Sequence, residues 1–188
     1  MKIIALRRNP ILSRGDPLCT VIDCFSICFS SDDVLITDVS IFALKGDVIY
    51  GSDKQSLNKL MSESDYIVCS APSTVDTRGM VNAEAFKSVK PNAVFINLGR
   101  GPVVDEAALI DALKDGRLRG AALDVFSEEP LPISNELWGL DNVLLSPHNM
   151  DQTATFMHEA TEFFVYENLP RFICGQELLN PVDCVLGY

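Results

Sequence analysis

From Gly46 to Pro170 the sequence alternates short apolar runs of strand type with amphipathic runs of helical spacing, and this alternation constrains the fold more than any other feature. Strand patterns fall at Asp47–Tyr50, Tyr66–Ala71, Ala93–Leu98, Gly120–Val125 and Val143–Ser146. Helical patterns fall between them at Gln55–Ser62, Ala83–Val89 and Glu106–Lys114, with a long one from about Thr153 to Leu169 that Pro170 stops. Parallel neighbours need a crossover between them, and a helix supplies it. The rhythm therefore predicts an α/β fold, a doubly wound parallel sheet with helices on both faces. The runs Tyr66–Ala71 and Ala93–Leu98 are apolar on both faces, as strands buried inside such a sheet should be.

Upstream the pattern is less regular. Lys2–Arg7 reads as a strand, ended by Arg8-Asn9-Pro10, with loop to about Pro17. Two runs rich in β-branched and aromatic residues follow, Thr20–Phe29 and Val34–Leu44, and they fit either a hairpin or two buried strands. Nothing in the chain reads as a linker or repeat, so residues 1–188 are expected to form one domain.

Composition excludes several functions. The net charge is −11, which repels a phosphate backbone, so no nucleic-acid partner is expected. The most apolar stretch, Leu18–Phe29, is interrupted by Asp23 and is far short of the ~20 residues that cross a bilayer, so no membrane partner is expected. The six cysteines at 19, 24, 28, 69, 174 and 184 form no Cys-x-x-Cys pair, and no histidine completes a zinc site. They read as reduced, mostly buried thiols, with no metal and a cytoplasmic setting.

In open parallel sheets ligands collect beyond the carboxyl ends of the strands. Four residues there carry chemistry: Arg100 in Asn97-Leu98-Gly99-Arg100-Gly101, Asp124 in Leu123-Asp124-Val125, Glu129 in Glu128-Glu129-Pro130, and His148 in Ser146-Pro147-His148. Each alone has an ordinary structural explanation. Together, arginine, carboxylate and imidazole at successive strand ends are what reduction of a 2-oxo acid requires. Arginine grips the substrate carboxylate through two parallel hydrogen bonds. Histidine gives a proton to the carbonyl oxygen, and a neighbouring carboxylate raises its pKa and sets its tautomer. His158, the other histidine, falls within the long helical pattern and reads as structural.

The stretches INLGRGPVVDEAALIDALKDGRLRGAALDVFSEEPLP, NVLLSPHN and LLNPVD closely resemble the cofactor-binding domain of the D-2-hydroxyacid dehydrogenases, with the likeness running over about residues 46–183. The resemblance implies a Rossmann-type fold and hydride transfer between NAD(P)H and a small 2-oxo acid or D-2-hydroxy acid. It implies Arg100 as the carboxylate anchor, His148 as the acid/base and Glu129 as its partner. It also implies that Asp124 holds the nicotinamide carboxamide, while Pro72, Thr77, Leu98, Gly99, Arg100 and His148 line the dinucleotide. A second copy of the chain, in a homodimer, is a candidate partner. Where the family commonly has small residues after the histidine, this chain has Asn149-Met150-Asp151.

The chain departs from the family at its start. The Gly-x-Gly-x-x-Gly loop that holds the pyrophosphate is not found, and the sole Gly-x-Gly is Gly99-Arg100-Gly101, in the arginine loop. By resemblance Lys2–Arg7 is the second strand, so the first strand, its glycine loop and helix, and a substrate domain are expected to be absent. The fold is accordingly expected to be incomplete, its sheet divided where the central first strand belongs. Residues 18–45 are an atypical inserted segment, either translated non-coding sequence, the favoured reading because nothing in them resembles the family, or a substitute strand. Arg7-Arg8 replaces the acidic residue that selects NAD, which favours NADP over NAD. The alternative function is a catalytically inactive truncated form that binds and regulates a full-length subunit.

Overall fold

The computed structural model describes residues 2–7, 24–30, 48–50, 53–150, 152–182 and 184–185, with side chains from residue 53 onward. The chain groups into two compact units, Met1–Pro147 and His148–Tyr188.

Among the described residues the first unit is built on a seven-stranded sheet. Its strands are β1 (Lys2–Arg7), β2 (Cys24–Ser30), β3 (Val48–Tyr50), β4 (Tyr66–Cys69), β5 (Ala93–Asn97), β6 (Leu118–Leu123) and β7 (Val143–Leu145), in the order β3-β1-β2-β4-β5-β6-β7. Neighbours β4 to β7 pair in parallel, as do β1 and β3. β2 runs antiparallel to both its neighbours, with Ile27 opposite Ala5 on one side and Val68 on the other. Every other strand therefore points the same way, and Arg7 ends β1 at the edge where β4 to β7 also end.

The sheet is not divided as the sequence led us to expect. Cys24–Ser30 occupies the central position between β1 and β4, so of the two readings of residues 18–45 the substitute strand is the one the fold carries. The physical reason lies in its composition: Cys-Phe-Ser-Ile-Cys-Phe-Ser joins β-formers to small residues, and an unfilled slot would leave two rows of backbone N–H and C=O groups unpaired. The second apolar run, 34–44, lies outside the described residues. Ile27→Pro is expected to lower the urea midpoint, because it removes an N–H from a strand paired on both sides. The orphaned carbonyl alone costs about 1–3 kcal/mol, and an unchanged midpoint would show that the strand is not part of the sheet.

Helices α1 (Lys54–Glu63), α2 (Ala83–Lys87) and α3 (Glu106–Lys114) connect successive strands, and they pack in a row, α1 on α2 and α2 on α3. Each starts at a side chain that accepts backbone N–H groups: Asp53 for α1, Asn82 for α2, Asp105 for α3. α1 buries Leu57, Leu60 and Met61, and α3 buries Ala108, Leu109, Ala112 and Leu113, each set at helical spacing. They close over Ile67, Phe95, Leu118 and Leu123 of the sheet, and Phe86 meets Phe95 edge to face at 5.3 Å.

Burial along the strands alternates. Ile67, Cys69, Phe95 and Asn97 are buried, whereas Val68, Val94 and Ile96 on the other face are half-buried. The described helices of this unit form one row, which accounts for the difference from strands expected to be buried on both faces.

In the second unit the helix expected to stop at Pro170 continues. α4 (Phe156–Phe163) passes through a π-helical turn, Phe164–Asn168, into α5 (Leu169–Ile173), with Pro170 in its first turn. A first-turn proline needs no N–H, and the wider π turn before it displaces the carbonyl its ring would strike. Gly175, at φ 65°, ends the helix, with Gln176 N–H donating to the Arg171 carbonyl at 2.8 Å. Among the described residues no helix is long and apolar enough to cross a membrane.

Candidate active site

Three loops leave the carboxyl ends of β4, β5 and β6, and backbone contacts lock them together. Gly99 is so close to the β4 loop that a Cβ there would lie 2.6 Å from the Ala71 carbonyl oxygen, and a Cβ on Gly101 would lie 1.8 Å from that of Phe126. Both positions therefore admit only glycine without moving backbone. Further along, Gly79 N–H donates to Pro102, Val81 N–H to Val103, and Asp105 N–H to Val81, so the loop after β4 is zipped to the loop after β5.

Arg100 sits between the two glycines in extended backbone, at φ −143°. Its side chain is exposed, Nη1 donates to the Gly99 carbonyl at 2.8 Å, and among the described residues it has no carboxylate partner. Asn97 at the end of β5 holds this turn, its Oδ1 accepting from Gly99 N–H at 3.2 Å. A guanidinium left at a strand end without an anion is suited to a ligand carboxylate.

Asp124 follows β6 and is 3% exposed, with its backbone N–H donating to the Asn97 carbonyl at 3.0 Å. Glu129 lies on the exposed loop that follows, and its Oε1 accepts from Phe126 N–H at 2.9 Å. Pro72 and Thr77 belong to the loop after β4. Thr77 is 2% exposed and its hydroxyl is used within that loop, donating to the Pro72 carbonyl at 2.6 Å and accepting from Thr74 N–H at 2.8 Å. It shapes the loop from inside. The neighbouring Ser73 Oγ is a buried hydroxyl without a hydrogen-bond partner among the described residues, a position that suits a ligand bringing one.

His148 opens the second unit, exposed and at φ 52°. A non-glycine residue in the left-handed region is uncommon and carries strain that clusters at functional positions. β7 leads directly to it, since Ser146 N–H is held by the Leu123 carbonyl at 2.9 Å. His158 is exposed on α4, with Nε2 3.5 Å from Glu162 Oε1 one helical turn on. Arg8 and the Arg7 side chain lie outside the described residues.

Of the thiols, Cys69 is buried, and burial pushes it up to about 11. Cys174 and Cys184 are exposed and free, so the expectation of mostly buried thiols fails for them, because the second unit has no buried residue among those described.

The residues thus placed in the first unit fit the nicotinamide half of a dinucleotide. Buried Asp124, the Leu98-Gly99 backbone, Pro72 and the unpartnered Ser73 hydroxyl stand in loops that touch at one sheet edge.

The sequence pattern of the D-isomer specific 2-hydroxyacid dehydrogenase, NAD binding domain, matches residues 33–149, beginning inside the segment 18–45. A glyoxylate reductase of Pyrococcus furiosus is 44% identical over 127 residues, covering 67% of this chain and 37% of the relative. A glyoxylate/hydroxypyruvate reductase B of Erwinia tasmaniensis is 52% identical over 92 residues, 49% of this chain and 29% of the relative. Among solved structures, a D-isomer specific 2-hydroxyacid dehydrogenase of Xanthobacter autotrophicus in complex with NADPH and MES superposes with TM-score 0.67 at 40% identity, over 75% of this chain and 57% of that one. The NADPH-dependent glyoxylate/hydroxypyruvate reductase of Sinorhizobium meliloti, in complex with NADP and malonate, does so with TM-score 0.60 at 35% identity, over 70% and 40%. The chain spans under half the length of these curated relatives. The sheet is that of a Rossmann-type α/β protein with one reversed strand, and the chain belongs to the D-isomer specific 2-hydroxyacid dehydrogenase family, within its NAD binding domain.

Proposed function

We propose that this chain supplies the nicotinamide-binding and acid–base part of an enzyme that reduces a small 2-oxo acid to its D-2-hydroxy acid and catalyses the reverse oxidation. The observation that carries the reading is the exposed Arg100, with no carboxylate partner among the described residues, on a loop that touches the Asp124–Glu129 loop at Gly101 and Phe126.

Arg100 grips the substrate carboxylate through two parallel hydrogen bonds and so fixes which carbon lies beside the carbonyl oxygen. His148 gives its proton to that oxygen in reduction and takes it back in oxidation. Glu129 orients the imidazole, and its own carboxylate is held by Phe126 N–H. Asp124 accepts from the carboxamide N–H of the nicotinamide, with Pro72, Thr77, Leu98, Gly99 and His148 around it. The cofactor, when bound, gives up or receives the hydride at the substrate carbon.

NADP is favoured over NAD by Arg7-Arg8, since β1 ends at the carboxyl edge and guanidinium groups suit a 2′-phosphate. Free exposed thiols at Cys174 and Cys184 support a reducing, cytoplasmic setting. Exposed Phe163, Phe164 and Phe172 in the second unit support pairing with a second copy. The inactive-partner alternative draws no support from relatives that are themselves described as reductases.

The test is NADPH or NADH oxidation by the 188-residue chain with glyoxylate, hydroxypyruvate or pyruvate. Consumption that depends on the 2-oxo acid and is faster with NADPH is expected. No consumption with any pair would remove the proposal.

A further inference from the structure

We propose that Glu106, a residue of no assigned role, is the positioning residue for Glu129; this rests on the function proposed above. Glu106 stands in the first turn of α3, where an acidic side chain is ordinarily explained by the helix dipole. Its two oxygens, however, do something more specific. Oε2 accepts from Ser127 N–H at 3.0 Å and Oε1 accepts from Asn135 Nδ2 at 2.8 Å.

These partners bracket the segment that carries Glu129. At the far end, Asn135 also accepts from Leu137 N–H at 2.9 Å, which ties the segment to Leu137, 1% exposed. At the near end, Ser127 adjoins Phe126, whose N–H is the donor that holds the Glu129 carboxylate. Between them Ser127, Glu128, Glu129 and Pro130 are all exposed, and Leu131 is the apolar residue of the stretch that packs against the core, so the turn carrying Glu129 depends on its hydrogen bonds. α3 itself is rooted in the core through Ala108, Leu109, Ala112 and Leu113. One carboxylate on a helix rooted in the core thus clamps both ends of an exposed loop, and through Ser127 and Phe126 it fixes where Glu129 sits. Charge-assisted hydrogen bonds of this kind are the strong ones.

The experiment is amide hydrogen exchange on the full chain, with steady-state kinetics beside it. In Glu106→Ala, exchange at Phe126 and Ser127 is expected to be about 10-fold faster, equivalent to ~1.4 kcal/mol of lost local stability, while Phe95 and Leu123 keep their protection. Phe126 is the informative amide, because it donates to Glu129 and makes no bond to Glu106. Glu106→Gln, which keeps one acceptor oxygen, should recover part of the protection. kcat should fall about 10- to 100-fold with KM for the 2-oxo acid nearly unchanged, since Arg100 is untouched. Unchanged exchange at Phe126, uniform acceleration across the core, or faster exchange with kcat intact would each overturn the proposal. If Glu106→Ala does not fold, Asn135→Ala, which frees the far end alone, is read by the same amides. A wild-type chain without turnover would sink the function reading, while the exchange data would still decide whether the clamp exists.

Discussion

Replacing His148 with Gln is expected to lower kcat for 2-oxo acid reduction by about 10²- to 10⁴-fold, the usual loss when a general acid is removed. Gln is close in size and can still form a hydrogen bond to the carbonyl oxygen, but it has no proton to give. KM for the 2-oxo acid should hold within a few-fold, because Arg100, the proposed carboxylate anchor, is untouched. His158→Gln is the matched control: the chain has two histidines, and His158 is exposed on α4 beside Glu162. A variant at 148 that kept its kcat would remove the residue from the chemistry.

Substitution of Arg100 should act on binding. Arg100→Gln loses two charge-assisted hydrogen bonds of about 1.5–3 kcal/mol each, so kcat/KM for a 2-oxo acid should fall at least ~10²-fold. Arg100→Lys keeps the charge but not the planar fork, and should fall between the two. The distinguishing readout is substrate choice. The wild-type preference for the acid over the corresponding amide should collapse in Arg100→Gln, because the amide never used the arginine's charge. Stability should be unaffected, since the side chain is exposed and, among the described residues, its hydrogen bond is to the Gly99 carbonyl. An undiminished preference for the acid would mean that the carboxylate is bound elsewhere.

Much of this arrangement is legible in the residues. α3 has the bounds the sequence predicts, because Asp105 caps its start and Asp115-Gly116 ends it with Gly116 at φ 70°. The crossover rhythm gives the parallel strands in their right sequence, and the candidate site residues fall just beyond strand ends because that is where chain leaves a parallel sheet. What sequence reasoning misses involves competition over distance. The reversed β2 cannot be read from Cys24–Ser30, since a strand's direction is set by which partners leave backbone groups unpaired, and those lie at residues 2–7 and 66–69. Pro170 reads as a stop because the π turn that accommodates it leaves no mark in Phe164–Asn168. Glu106 reads as an ordinary first-turn acid, and the signal that it does more, donors 21 and 29 residues further on, exists only in the fold. Apolar composition in β4 and β5 overstates their burial for a related reason: Val68, Val94 and Ile96 are suited to a covered face, but their burial depends on what packs there.

The proposed hydride transfer is tested most directly by following the label itself. With NADPH deuterated at the transferable position of the nicotinamide and hydroxypyruvate as acceptor, the 188-residue chain should form D-glycerate carrying deuterium at C2, one for each NADPH consumed. Product without label at C2, or no product with both reactants saturating, would contradict the account.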